Sequence, residues 1–120
     1  MFIEFCKSKL AHGTVTDASL HYEGSITIDG ELLAAAGILP GEKVEVLNMN
    51  NGNRFTTYAI QGKAGAGQIC LNGPAARMGL VGDQVVILSY ALMDPQEARE
   101  SETKVVYLDK GNKIKKLNPI

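Results

Sequence analysis

A pattern of fourteen residues occurs twice in this chain without a gap: Ala34 to Leu47 reads AAAGILPGEKVEVL, and Ala75 to Leu88 reads AARMGLVGDQVVIL. The offset is 41 residues, from Leu39 to Leu80. Gly41 matches Gly82, Glu42 matches Asp83, Val44 matches Val85 and Val46 matches Ile87. Each copy reads as a small helix, an apolar residue, a Gly-acid turn and a strand entering the core. The glycine supplies backbone freedom at the tight turn. Two such units with intervening strands predict a small barrel with pseudo-twofold symmetry, which leaves few free sheet edges.

The remaining chain fits that frame. The runs FIEFCK, TVT, SITI, KVEVLNM, RFTTYAI, QICLN, QVVILSYALM and KVVYL read as strands from their Val, Ile, Thr and Tyr content or their alternation. NNGN (Asn50 to Asn53) and DKGN (Asp109 to Asn112) are hairpin signals. One helix is predicted after Asp29, which can cap it; Leu32, Leu33 and Ala36 form its apolar stripe and Gly37 ends it. A shorter one is predicted over PAARM, with Pro74 as its first residue. The expectation is a mainly β fold with one or two short helices, and a single domain over residues 1–120.

Charge and cysteine usage exclude several functions. Charged residues are 21% and the net charge is -1, so there is no basic stripe for phosphates, and nucleic acid is set aside. Lys104, Lys110, Lys113, Lys115 and Lys116 read as a solvated C-terminal hairpin. No apolar run reaches the roughly 18 residues of a membrane span. MFIEFCKSKL carries Glu4 and Lys7 and is not read as a signal peptide. Cys6 and Cys70 are the only cysteines and stand in no metal-type spacing. Reduced thiols in strands, a cytoplasmic location and no metal are expected.

Four stretches can carry chemistry. The first is HYEGSITID, His21 to Asp29. Gly24-Ser25 by itself reads as a turn. A serine hydroxyl can, however, attack the preceding carbonyl and convert the amide to an ester, and glycine admits the strained backbone this needs. Elimination and hydrolysis then leave a pyruvoyl group, a carbonyl that forms a Schiff base with an amine and acts as an electron sink in place of PLP. The second is NGNRFTTYAI, Asn51 to Ile60. Arg54 can fork onto a carboxylate, Thr57 can donate to an oxyanion, and Tyr58 can return a proton to carbon. On an ideal strand Arg54 and Tyr58 share a face and Thr57 lies on the other. The third is CLNGPAARMG, where Asn72 offers an amide and Gly73 precedes backbone N–H groups. The fourth is CKSKL with Lys9, which can hold a second carboxylate. Each also has a bland reading as turn, strand or solvated side chain.

Taken together, SKL with TVTDASLHYEGSITID, NNGNRFTTYAI, ICLNG and VGDQVVILSYALM resemble the pyruvoyl-dependent aspartate decarboxylases, over about Met1 to Tyr107. The resemblance implies a double-psi β-barrel made as a proenzyme and cleaved between Gly24 and Ser25. Residues 1–24 would be the β chain and residues 25–120 the α chain. It implies decarboxylation of L-aspartate to β-alanine and CO2, for pantothenate and coenzyme A synthesis, by a homo-tetramer (α4β4) with sites between neighbours. Ser25 would become the covalent pyruvoyl cofactor, with no PLP and no metal. Tyr58 would donate the proton, and Gly24, Ser25 and Thr57 would serve processing. Lys9, Arg54, Thr57, Asn72, Gly73, Pro74 and Ala75 would bind substrate, and Tyr22 would line the site. A maturation factor is left open.

Two positions depart from the family pattern. Ala11 stands where a histidine is usual, with His12 one later, and Pro74 replaces an alanine and removes an N–H. The competing reading is an uncleaved, non-catalytic barrel acting as a binding or scaffold module. A pyruvoyl decarboxylase for another amino acid is a third, and a cationic substrate would sit badly beside Arg54 and Lys9.

Overall fold

The computed structural model describes residues 1–118. Nine strands run in chain order: β1 (Ile3–Thr14), β2 (Asp17–Ser19), β3 (Ser25–Asp29), β4 (Lys43–Asn48), β5 (Arg54–Gly62), β6 (Ile69–Asn72), β7 (Gln84–Met93), β8 (Lys104–Asp109) and β9 (Lys113–Asn118). Two α-helices interrupt them, α1 (Gly30–Ala36) and α2 (Pro95–Glu100). The pairing order is β2-β6-β3-β5-β4-β7-β1-β8-β9. Only Val15 and Thr16 separate β1 from β2, so one stretch of chain pairs with β7 through its first part and with β6 through its second. At this junction Val15 N–H donates to the Asp83 carbonyl at 2.9 Å, and the Val15 carbonyl accepts from Gly82 N–H at 2.8 Å. Thr16 N–H then reaches the Ile69 carbonyl at 2.8 Å.

The sequence repeat is a repeat of structure. β4 and β7 pair antiparallel with Val46 directly opposite Ile87, the two residues that the 41-residue offset equates. An antiparallel pair centred on equivalent residues is what a local twofold axis requires. Gly41 and Gly82 both have positive φ, 88° and 95°, the left-handed region open to glycine. Gly41 N–H donates to the Ala59 carbonyl and Ala59 N–H to the Glu42 carbonyl, the same exchange that Gly82 and Asp83 make with Val15. The acids act alike as well. Glu42 Oε1 accepts from Leu39 N–H at 3.0 Å and Asp83 Oδ2 from Leu80 N–H at 2.9 Å. Asp83 also takes the Asn48 amide, and these two donors hold its carboxyl below the usual range.

Alternation places the core. Val44, Val46, Val85 and Ile87 point inward from β4 and β7 and meet Ile26, Ile28, Ile69 and Leu71 from β3 and β6. Burying each side chain of this kind stabilises the fold by about 1.5–3 kcal/mol. Helix α1 covers one end with Leu32, Leu33 and Ala36, and ends at Gly37 with φ 69°. Its cap, Asp29, accepts from the N–H groups of Glu31 (2.8 Å), Gly65 (2.9 Å) and Gly67 (2.8 Å). The carboxylate thus ties the end of β3 to the loop after β5.

Both predicted hairpins are present, β4–β5 and β8–β9, and the five lysines are exposed. Three local expectations change. TVT is not a strand of its own but the junction of β1 and β2. PAARM belongs to a 3-10 turn over Gly73–Arg77, with Pro74 in its first turn rather than opening an α-helix. Helix α2 was not anticipated because it buries no residue and so carries no apolar stripe; its signal is the Asp94 cap followed by Pro95 and Glu97. Among the described residues no helix is long and apolar enough to cross a membrane, and no group of His, Cys, Asp or Glu is placed to hold a metal ion.

Candidate active site

Ser25 opens β3 and is fully buried, with relative exposure 0%. It sits opposite Asn72 at the end of β6, and Thr27 sits opposite Cys70. Period-two alternation puts Ser25, Thr27, Cys70 and Asn72 on one face of this pair. Asn72 Nδ2 donates to Ser25 Oγ at 3.0 Å and to Thr27 Oγ1 at 2.8 Å. Ser25 Oγ in turn donates to the Glu23 carbonyl at 3.1 Å. The hydroxyl beside the Gly24–Ser25 bond is therefore held from two sides.

The backbone around that bond is crowded. Gly73 has φ 62°, and a Cβ there would lie 2.5 Å from the Tyr22 carbonyl oxygen and 2.8 Å from Gly24 N. Pro74 packs its ring on Gly24: a Cβ on Gly24 would meet Pro74 Cδ at 3.3 Å. Glycine at 73 thus lets the 3-10 turn approach the chain from Tyr22 to Gly24.

A cleft of about 480 Å³ opens at this place, lined by Gly24, Phe55, Thr56, Thr57, Tyr58, Pro74, Ala75 and Met78. Four consecutive residues of β5 line it because that part of the strand has one neighbour only. β4 pairs with Arg54 to Tyr58, whereas β3 joins the other side from Ala59 onward. The free edge of β5 faces the cleft, so residues of both faces reach it. The ideal-strand expectation that Thr57 would point away from a site shared with Tyr58 does not constrain this protomer.

Residues 1–115 match the aspartate decarboxylase family. The chain belongs to it. Aspartate 1-decarboxylase of Caldicellulosiruptor saccharolyticus is 55% identical over 118 residues, covering 98% of this chain and 92% of that protein. That of Thermoanaerobacter pseudethanolicus is 57% identical over 107 residues, covering 89% and 92%. That of Carboxydothermus hydrogenoformans is 55% identical over 117 residues, covering 98% and 92%.

Of the residues that the likeness to aspartate decarboxylases singles out, Gly24, Thr57, Tyr58, Pro74 and Ala75 line the cleft, and Ser25, Asn72 and Gly73 adjoin these lining residues without lining it. Tyr22 is exposed at 58% and joins the group through its carbonyl, which abuts Gly73. Arg54 does not line the cleft; it is in an ion pair with Glu45 at 2.8 Å beside Asn53 and Val86. Lys9 lies within β1 between Leu88 and Val105 and does not line the cleft. At the atypical position Ala11 is buried, while His12 sits at positive φ (65°) in an irregularity of β1 between Leu10 and Gly13, stacked 6.2 Å from Tyr107. His12 therefore occupies the β1–β8 side of the molecule, away from Ser25. Cys70 had read as a plain core thiol. It is buried and unpaired with Cys6, and its Sγ also contacts Asn72 Oδ1 at 3.1 Å. The signal for it was its spacing of two from Asn72 on a strand.

Proposed function

We propose that this protein is an aspartate decarboxylase that matures by cleaving its own Gly24–Ser25 bond and uses a pyruvoyl group made from Ser25 to convert L-aspartate to β-alanine and CO2. One observation carries this reading: a buried serine hydroxyl, hydrogen-bonded by Asn72, beside a glycine peptide at the mouth of a cleft lined by Thr57 and Tyr58. A structural turn needs neither a buried hydroxyl with two partners nor a cleft. The names of the relatives supply the substrate.

In cleavage Ser25 Oγ attacks the Gly24 carbonyl through a free lone pair, and its proton ends on the Ser25 nitrogen. The amide becomes an ester and the nitrogen a free amine. Elimination releases the Gly24 carboxylate, and hydrolysis of the remaining dehydroalanine releases ammonia. Thr57, at the open edge of β5, stabilises the oxyanion of the first step. The surroundings of Ser25 suit the product: Asn72 Nδ2 is a donor already placed at the position-25 oxygen, and Gly73 leaves room for the chain next to it. The group supplies an electrophilic carbonyl that takes the substrate amine and draws electrons from the bond to the departing carboxylate. Tyr58, which lines the cleft, delivers the proton to carbon. Ala75 and the Gly73–Pro74 turn shape the wall, and Ala75 retains an N–H that Pro74 lacks.

Arg54 and Lys9 complete the site in a homo-tetramer of processed protomers (α4β4), reaching the cleft of a neighbour to hold the substrate carboxylates. That neither lines this protomer's cleft supports that assignment. So do the exposed Phe2, Leu39, Leu80, Val81 and Leu92, which offer apolar area for association. The working location is the cytoplasm.

Intact mass after warm incubation tests the reading. The expected result is two pieces divided at Gly24/Ser25, the larger lighter by one ammonia than a serine-ended chain. Cyanoborohydride with L-aspartate should then add substrate to the residue-25 end. A chain that stays whole, with or without cell extract, would favour the scaffold reading instead.

A further inference from the structure

The face shared by β3 and β6 holds a directed chain of hydrogen bonds whose first member has no part in the reading above. Cys70 Sγ lies 3.1 Å from Asn72 Oδ1. Asn72 Nδ2 lies 3.0 Å from Ser25 Oγ and 2.8 Å from Thr27 Oγ1. Ser25 Oγ lies 3.1 Å from the Glu23 carbonyl. The chemistry of each group sets the direction. A carbonyl oxygen only accepts, so Ser25 must donate to Glu23. Ser25 Oγ then receives its other bond from Asn72, which places Nδ2 toward the hydroxyls and Oδ1 toward Cys70. Oδ1 only accepts, so the thiol donates. Burial, with the negative charge of Asp17 added, pushes the Cys70 thiol up and keeps it protonated at neutral pH.

The opposite amide orientation is easy to form without that donor. Oδ1 would face two hydroxyls that are both able to donate, and Nδ2 would face the sulfur. Ser25 would then turn its proton to Asn72. In the observed orientation Asn72 spends both of its hydrogens on hydroxyl oxygens, and the Ser25 proton points at the main chain. A single weak donor at Oδ1 thus selects between two states of the side chain that touches the nucleophile.

We infer that Cys70 is a positioning residue for self-cleavage: its S–H holds the Asn72 amide in the one orientation that directs the Ser25 hydroxyl, and so sets the rate at which the Gly24–Ser25 bond is broken. The inference rests on the cleavage reading and deepens it. It predicts that the rate follows the presence of a donor at position 70 and not the volume there.

The test uses four full-length chains made under conditions that keep them uncleaved at the start: the parent, Cys70→Ser, Cys70→Ala and Cys70→Val. Cleavage is followed by intact mass, and folding by the urea midpoint before cleavage. Ser keeps a donor and Val keeps bulk on a strand that favours it. Cys70→Ser is expected within about threefold of the parent, because its hydroxyl retains a donor at this position. Cys70→Ala and Cys70→Val should both be slower by about tenfold, the kinetic equivalent of one net hydrogen bond. A structural role would instead order the rates by urea midpoint, with Val nearest the parent. Cys70→Val cleaving as fast as the parent overturns the positioning role and leaves the cleavage reading intact. A parent chain that does not cleave either alone or with cell extract overturns both.

Discussion

Gly73→Ala separates the two demands on the turn beside the scissile bond. The substitution places a Cβ on a residue with φ 62°, which costs about 1 kcal/mol for an L side chain in the left-handed region. That Cβ would stand 2.5 Å from the Tyr22 carbonyl oxygen, 2.8 Å from Gly24 N and 3.0 Å from Gly24 Cα. All three are main-chain atoms, so no side chain can swing away. Overpacking of this kind costs about 1–3 kcal/mol, and the total is about 2–4 kcal/mol. The urea midpoint should fall accordingly. The chain from Tyr22 to Gly24 can relieve the contact only by moving about 1 Å, a displacement that costs reactions on the order of a hundredfold in rate. Intact mass over time should therefore show cleavage slowed to that extent, even where the fold survives. If the variant cleaves at the parental rate with a parental midpoint, the close approach of this turn to Gly24 is not what controls the site.

Ser25→Ala should abolish cleavage and leave the β-rich circular dichroism spectrum unchanged, since the loss of one hydroxyl leaves every strand pair intact; any division of the chain at residue 24 in this variant would refute nucleophilic attack by Ser25. Tyr58→Phe should still cleave but lose at least a hundredfold in β-alanine production under saturating substrate, the usual range for a lost acid–base group; normal turnover would remove Tyr58 from proton delivery. Burial would raise the Asp29 pKa, but the N–H groups of Gly65, Gly67 and Glu31, with Lys113 nearby, outweigh it and leave the carboxyl lowered. Its stabilisation is therefore complete above the unfolded carboxylate value of about 3.9 and lost as pH falls through the lower folded value. Asp29→Ala should lower stability by about 3 kcal/mol at neutral pH, from a lost cap and two charge-assisted bonds, and the difference from the parent should shrink in acid; a urea midpoint difference independent of pH would contradict the carboxylate's role.

Much of the fold was legible because the relevant forces are local. The Asp29 cap, the stripe of Leu32, Leu33 and Ala36, and the Gly37 stop lie within nine residues and act through one helix. The two Gly-acid turns and the alternation of Val44 and Val46, or Val85 and Ile87, announce both copies of the repeat. Helix α2 escaped because an exposed helix of six residues leaves no apolar pattern. The site was legible only in pieces. Gly24-Ser25 carries no distinguishing composition, and the residues around it gain meaning from their company with Thr57, Tyr58 and Asn72.

The amino-acid sequence by itself determined the strands, their turns, the duplicated unit and the residue types that the chemistry requires. The tertiary structure alone decided which of them meet. Register sets Ser25 against Asn72 and Thr27 against Cys70, and a slip of β3 by one residue would send Ser25 and Thr27 to the face opposite Cys70 and Asn72. The late start of β3 beside β5 leaves the strand edge that brings Thr57 and Tyr58 into one cleft. The same fold pairs Arg54 with Glu45 and sets Lys9 within β1, so neither lines that cleft. Such facts depend on pairing between segments tens of residues apart, where the energy lies in contacts and not in any residue's own preference.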